Sequence, residues 1–190
     1  MPAMAETSLH IIAPALLKQS WSEAEVMGGA SWLWMHSAFH RDIPLSALAS
    51  MLLPALKTQQ FILAIEAGRP VFYLSWATFD TAAESRYLAR HPVFMPEADW
   101  RCGDRMWILD WVAPFGHTHR LKRLLERELF ANRWMRFLYH RGDTRGMKIK
   151  TFHGRSVSCA FAHQWFASHP ACRPNAFPET YPLSGRRSLP

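Results

Sequence analysis

The chain has 190 residues, 49% of them hydrophobic, with a net charge of +7 and an isoelectric point near 9.8. That length suits one domain, and the apolar fraction is enough to fill a core, which excludes a disordered or low-complexity chain. Arginine and lysine are scattered, and no helix-turn-helix, zinc-finger or RNA-recognition signature accompanies them, so nucleic acid is not the expected partner.

Residues 1–25 read as a loose or partly helical extension. The apolar stretch at 10–17 is short, interrupted by Pro14 and not preceded by basic residues, so it is not a signal peptide. No run reaches the roughly 18 apolar residues that a membrane span needs. Pro44 opens an apolar stretch at 45–56 that predicts a helix, ended or kinked by Pro54. Residues 61–65 and 71–76 flank Glu66-Ala67-Gly68-Arg69-Pro70, a hairpin signal. Asp80 is placed to cap a helix over 81–89. Residues 105–112 read as a strand, stopped by Pro114. Leu121, Leu124, Leu125, Leu129 and Phe130 make a helical stripe over 121–130. Two further strands are expected at 134–139 and 147–152, joined by a turn at Gly142-Asp143. A single domain at 26–168 and an extended or disordered tail at 169–190 follow, the residues from 170 on holding five of the 13 prolines. Cys102, Cys159 and Cys172 form an odd set without paired spacing, which points to a reducing compartment and so to the cytoplasm.

Helix, hairpin, helix, strand, helix, strand, strand is an α+β order: a central, mostly antiparallel sheet with helices packed on it. Two segments carry chemistry. In residues 107–113, Asp110 stands inside an apolar run. A carboxylate leaves water only with a partner, which is either one of the 17 arginines, such as Arg105 or Arg41, or a group at a functional site. In residues 32–41, Trp32, Trp34, His36, Ser37, His40 and Arg41 fall together. On a helix Ser37 and His40 share a face, and His36 and His40 stack at i, i+4. A metal site from His36 and His40, or from His117 and His119, has suitable spacing but lacks further ligands.

The chain resembles the RTX toxin-activating lysine acyltransferases, which fatty-acylate a bacterial protoxin. The resemblance runs from about Gly28 to Gly154 and covers two-thirds of the chain. It includes Ser31-Trp32-Leu33-Trp34, Ser37, His40-Arg41, Pro44, Leu53-Pro54, Ser75-Trp76-Ala77 and Asp99-Trp100. It continues through Gly103-Asp104-Arg105, Trp107, Asp110-Trp111, Ala113-Pro114-Phe115-Gly116 and Phe152-His153-Gly154. The resemblance implies that His40 and Asp110 are catalytic, with Ser37 supporting. It implies a fold similar to the GNAT-type acyltransferases, with Asp110 on the strand that carries the donor thioester. It implies acyl carrier protein as the donor substrate, no bound cofactor, an RTX protoxin as acceptor and a tendency to homodimerise. A glycine-rich phosphate loop for coenzyme A is missing after Asp110, where Pro114-Phe115-Gly116 stands, in keeping with a carrier-bound donor. The family closes with a charged helix, which this chain lacks.

The chemistry starts from the acceptor: with an ordinary pKa near 10.4, a solvated lysine is almost entirely ammonium at neutral pH. A histidine can take its proton, worth about 10²–10⁴-fold. Asp110 can orient that histidine or hold the ammonium, and His40 can instead attack the thioester to give an acyl-imidazole. Two other classes compete. One is a Ser-His-Asp hydrolase using Ser37, His40 and Asp110, although Ser37 is not in a Gly-x-Ser-x-Gly elbow. The other is a non-catalytic basic binding protein.

Overall fold

The computed structural model describes residues 8–90, 92–139 and 148–172. Six strands, β1 (Leu9–Ile12), β2 (Phe61–Glu66), β3 (Arg69–Phe79), β4 (Arg105–Val112), β5 (Trp134–Tyr139) and β6 (Lys148–His153), form one sheet in chain order. Neighbours are antiparallel except β4 and β5, which run parallel. The fold is α+β, a mixed sheet flanked by helices, and the parallel pair in mid-sheet agrees with the GNAT-type arrangement.

Both faces of the central strands are covered, which is why they read as nearly unbroken apolar runs. Phe61, Leu63, Tyr73, Ala77 and Phe79 join one core cluster. Ile62, Ala64, Phe72, Leu74 and Trp76 join the other. The β2–β3 hairpin closes through Ala67 and Gly68, both with positive φ (49° and 76°), the backbone a tight two-residue turn requires.

On the first face lie α2 (Glu23–Met35), α4 (Leu53–Lys57) and α5 (Thr81–Ala89), contributing Ala30, Leu56 and Leu88 among others. The Ser22 side chain caps α2 by accepting from Glu25 N, and Glu23 and Glu25 complement its dipole. Gly29 lets α2 approach β2: a Cβ there would sit 3.0 Å from the Leu63 side chain. Asp80 caps α5 as expected, accepting from Ala83 N at 2.7 Å. The helix expected at 45–56 is broken into a 3₁₀ turn at Leu45–Ala47, α3 (Leu48–Met51) and α4, with Leu52 at the break. Pro54 supplies no N–H to continue the first helix and sits in the opening turn of the next.

The other face is covered by α1 (Pro14–Leu17) and α6 (Thr118–Leu124), which runs on through a π turn at Leu125–Leu129. Phe130 N reaches back to Leu125 O at 2.8 Å, so the leucine stripe stays on the sheet despite one extra residue.

The chain differs from expectation at both ends. Leu9–Ile12, inside the stretch read as an extension, pairs with β2, four residues being too few to show alternation. Ser158 caps α7 (Cys159–Ser168), which sequence reading left without a helix, and its Phe161 and Trp165 pack on Trp134 of β5. Beyond it, residues 170 and 172 are tied to buried Glu84. Arg105 and Arg136 donate to the Glu84 carboxylate at 2.7 and 3.1 Å, Trp107 at 2.8 Å and Cys172 N at 3.2 Å. Arg105 also donates to Pro170 O at 3.0 Å. The turn at Gly142-Asp143, Met147, and residues 173–190 of the expected tail lie outside the described residues.

Candidate active site

Two irregularities in β4 build the site. Ser75 pairs with Asp110 but Trp76 pairs with Ile108, so Leu109 is an extra residue in a β-bulge. The β4–β5 pairing consists of Trp107 with Arg136 and Ile108 with Phe137, after which the strands part. The carboxyl half of β4 therefore faces an opening instead of a neighbour.

Across that opening stands the end of α2. The helix stops at Met35, and the chain turns back, with His40 N and Arg41 N donating to Ser37 O at 3.0 and 2.9 Å. Ser37 and His40 thus meet through a turn after the helix, not on the helical face expected for them. Ser37 Oγ lies 2.9 Å from His40 Nδ1, and His40 Nε2 lies 3.3 Å from Asp110 Oδ1. The Ser75 hydroxyl donates to the other carboxylate oxygen at 2.7 Å. In the tautomer protonated at Nε2, the imidazole donates to Asp110 and leaves Nδ1 to accept the Ser37 hydroxyl hydrogen. His40 and Asp110 are each only 7% exposed, and Trp34 lies against the imidazole with ring centroids 5.0 Å apart. Ser37 and His40, neighbours in sequence, and the remote Asp110 form one hydrogen-bonded line.

Asp110 is compensated by His40 and Ser75, not by an arginine: Arg105 serves Glu84, and Arg41 pairs with Asp42. His36 is drawn away from His40. Its Nδ1 lies 2.8 Å from Trp32 O and its ring packs on Trp32 and Phe115. His117 pairs with Glu66 at 3.1 Å. Among the described residues no group of three or more His, Cys, Asp or Glu side chains could hold a metal ion. Burial pushes the phenols of Tyr73 and Tyr87 up, with a further rise from the charge of Asp110. Ser75 offsets part of the Tyr73 shift, although the Tyr73 hydroxyl makes no hydrogen bond of ordinary length and angle. Ser75 has the closest contact with Asp110, and sequence reading gave it no role. Only the cross-strand register, bulge included, brings the two together.

Two cavities meet at His40. The larger, about 510 Å³, opens where β4 and β5 part, between Ile108 and Trp111 on one side and Phe137 and Tyr139 on the other. Ser37, Thr118 and Lys122 also line it. The smaller, about 60 Å³, is walled by Met51, Tyr87, Met95 and Trp100 and reaches both His40 and Asp110.

Residues 19–153 match the model of a family described as the HlyC, RTX toxin acyltransferase family. The chain belongs to this family. It is 34% identical over 143 residues to the protein-lysine myristoyltransferase RtxC of Kingella kingae, covering 75% of this chain and 84% of that protein. It is 37% identical over 145 residues to the RTX-I toxin-activating lysine-acyltransferase ApxIC of Actinobacillus pleuropneumoniae, covering 76% and 83%. A protein-lysine myristoyltransferase HlyC of Escherichia coli is 34% identical over 145 residues, covering 76% and 84%.

Proposed function

We propose that the protein is a protein-lysine N-acyltransferase that moves a fatty acyl chain from acyl carrier protein to internal lysines of an RTX protoxin. The observation that carries this reading is the Ser37–His40–Asp110 line at the junction of two cavities, where a histidine can take a proton from an amine attacking a thioester. Family membership supports the reaction class, and the relatives, a protein-lysine myristoyltransferase and a toxin-activating lysine-acyltransferase, support lysine as acceptor.

One feature favours a carrier-bound donor over free coenzyme A, and two more suit either. The loop between β4 and α6 is filled by Phe115, with Trp32 beside it and the Arg69 guanidinium 3.8 Å from the Phe115 ring. The larger cavity can receive a flexible thioester arm. One basic residue, Lys122, lines it, Arg123 is exposed on the same helix, and Lys148 and Lys150 are exposed on the strand paired with β5, Lys150 lying 5.7 Å from the ring of the lining residue Tyr139. The acyl thioester is a substrate on this reading, so no resident cofactor is required. Three free thiols and no described helix long and apolar enough to cross a membrane fit a cytoplasmic setting.

The test is direct: purified protein, acyl carrier thioester and a lysine-bearing protoxin fragment are mixed and the products weighed by mass spectrometry. Acylated lysine is expected. The 2.9 Å contact of Ser37 with His40 favours one second reading, hydrolysis through an acyl-Ser37 ester. Free fatty acid as the sole product would select it, and no turnover would select a binding protein.

A further inference from the structure

The two cavities differ in what they present to the histidine between them. Ser37 lines only the larger, Asp110 only the smaller, and His40 both. We infer that the smaller cavity is the entry channel for the acceptor lysine, its amine delivered to Asp110, while the donor thioester reaches His40 through the larger cavity from the Ser37 side. This rests on the lysine acyltransferase reading above and adds the acceptor subsite.

Charge assigns the sides. A carboxylate amid apolar side chains attracts an ammonium ion and repels the oxyanion that grows on a thioester carbonyl, so the cation belongs on the Asp110 side. Size agrees. About 60 Å³ exceeds the roughly 10–15 Å³ that a single water-sized group requires, yet is far too little for a long acyl chain. A lysine side chain is four methylenes and an amine, whereas a fatty chain with its thioester arm needs the roughly 510 Å³ of the other cavity. The walls agree as well. Met51, Met95 and Trp100 offer apolar contact to methylenes, and methionine adapts to an entering chain. The Tyr87 phenol on the same wall is held neutral by burial and by Asp110, so it does not compete as a second anion. Phe39, which lines both cavities and is 52% exposed, offers apolar surface beside the acceptor.

The transfer balances. The ammonium gives up two protons: one leaves to solvent by way of Asp110, and as nitrogen attacks the second passes, through the Ser37 hydroxyl, to the free Nδ1 lone pair of His40. The C–N bond forms, the C–S bond breaks, and the departing thiolate takes the second proton from the imidazolium.

The test uses the full chain labelled with ¹³C at its methionine methyls, Met51 and Met95 being assigned from Met51→Leu and Met95→Leu. Nα-acetyl-lysine methylamide is titrated, and separately a non-reactive dodecyl-pantetheine thioether. The expected result is that the lysine probe shifts the Met51 and Met95 signals and the thioether does not, with the lysine shift abolished in Asp110→Asn. A thioether that moves both signals, or a lysine probe that moves neither, overturns the proposal. Kinetically, Met95→Phe should raise the acceptor KM at least tenfold while the ranking of donor chain lengths stays as in the wild type. A ranking displaced toward shorter chains would make this the acyl pocket instead. Failure of the underlying reading is seen separately, as wild-type protein forming no amide from acyl carrier thioester.

Discussion

At the scale of single residues, His40 is held from both ring nitrogens, by Ser37 and by Asp110, so its orientation needs no substrate to set it. On the proposed reading His40→Ala removes the proton acceptor, and lysine transfer should fall at least about 100-fold while the fold persists. Steady-state rates checked beside circular dichroism decide this, and near wild-type turnover would end the role given to His40. Ser37→Ala should keep a measurable fraction of transfer, because a supporting hydroxyl is removed and no nucleophile. An acyl-Ser37 adduct in a trapped digest would reverse that assignment. Ala67 offers a stability test remote from the site. Its φ of 49° is left-handed and is found in asparagine more readily than in alanine. Ala67→Asn should therefore raise stability by about 0.5–1 kcal/mol in denaturant titration, and a loss would show that the turn tolerates only alanine. Asp110 was legible in the sequence because a carboxylate breaks an apolar run. Its partners were legible only in part, since Ser75 lies 35 positions away and the bulge sets the register that brings them together.

At the scale of elements, strands and caps were legible where period and capping chemistry agree, as in the β2–β3 hairpin and in α5 behind Asp80. Breaks were legible only where a residue type announces them: Pro54, without an N–H, divides the stretch 45–56 as expected, whereas α6 passes into a π turn that no residue type announces. Glu84 was invisible for another reason: a glutamate in an ordinary amphipathic helix reads as surface. In the fold it is wholly buried and joins β4, β5 and the segment after α7 through Arg105, Arg136 and Cys172 N. Burial lowers the Arg136 pKa, and Glu84 works against that shift. Glu84→Ala would leave two buried guanidinium groups facing each other without a counter-charge, so stability should fall by about 3–5 kcal/mol. Chemical denaturation measures it. A change under about 1 kcal/mol would mean that the arginines reach water instead and that the clasp does not hold β4 against β5.

At the scale of the whole molecule, the sheet divides the work. On one face Met51 of α3, Tyr87 of α5 and, beyond it, Met95 and Trp100 enclose the small cavity at Asp110, and the parted edges of β4 and β5 open the large one toward α6. The net charge of +7 was legible from composition, but its placement was not, because the basic residues are spread along the chain and gather only when α6 and β6 flank the same cleft. If an acidic carrier protein presents the donor there, docking is electrostatic and screening weakens it, since the Debye length falls from ~10 Å at 0.1 M to ~3 Å at 1 M salt. The donor KM for acyl carrier thioester should rise steeply over that range, while the KM for the same acyl group on pantetheine alone, which carries no acidic surface, should barely move. Reversing charge with Arg123→Glu and Lys150→Glu, both exposed and neither in the His40–Asp110 contact, should reproduce the high-salt KM at low salt and leave turnover at saturating donor intact. Equal salt dependence for the two donors, or an unchanged KM in the double variant, would remove the α6–β6 flank as the carrier's landing site and leave the cleft with only its apolar walls to select the donor.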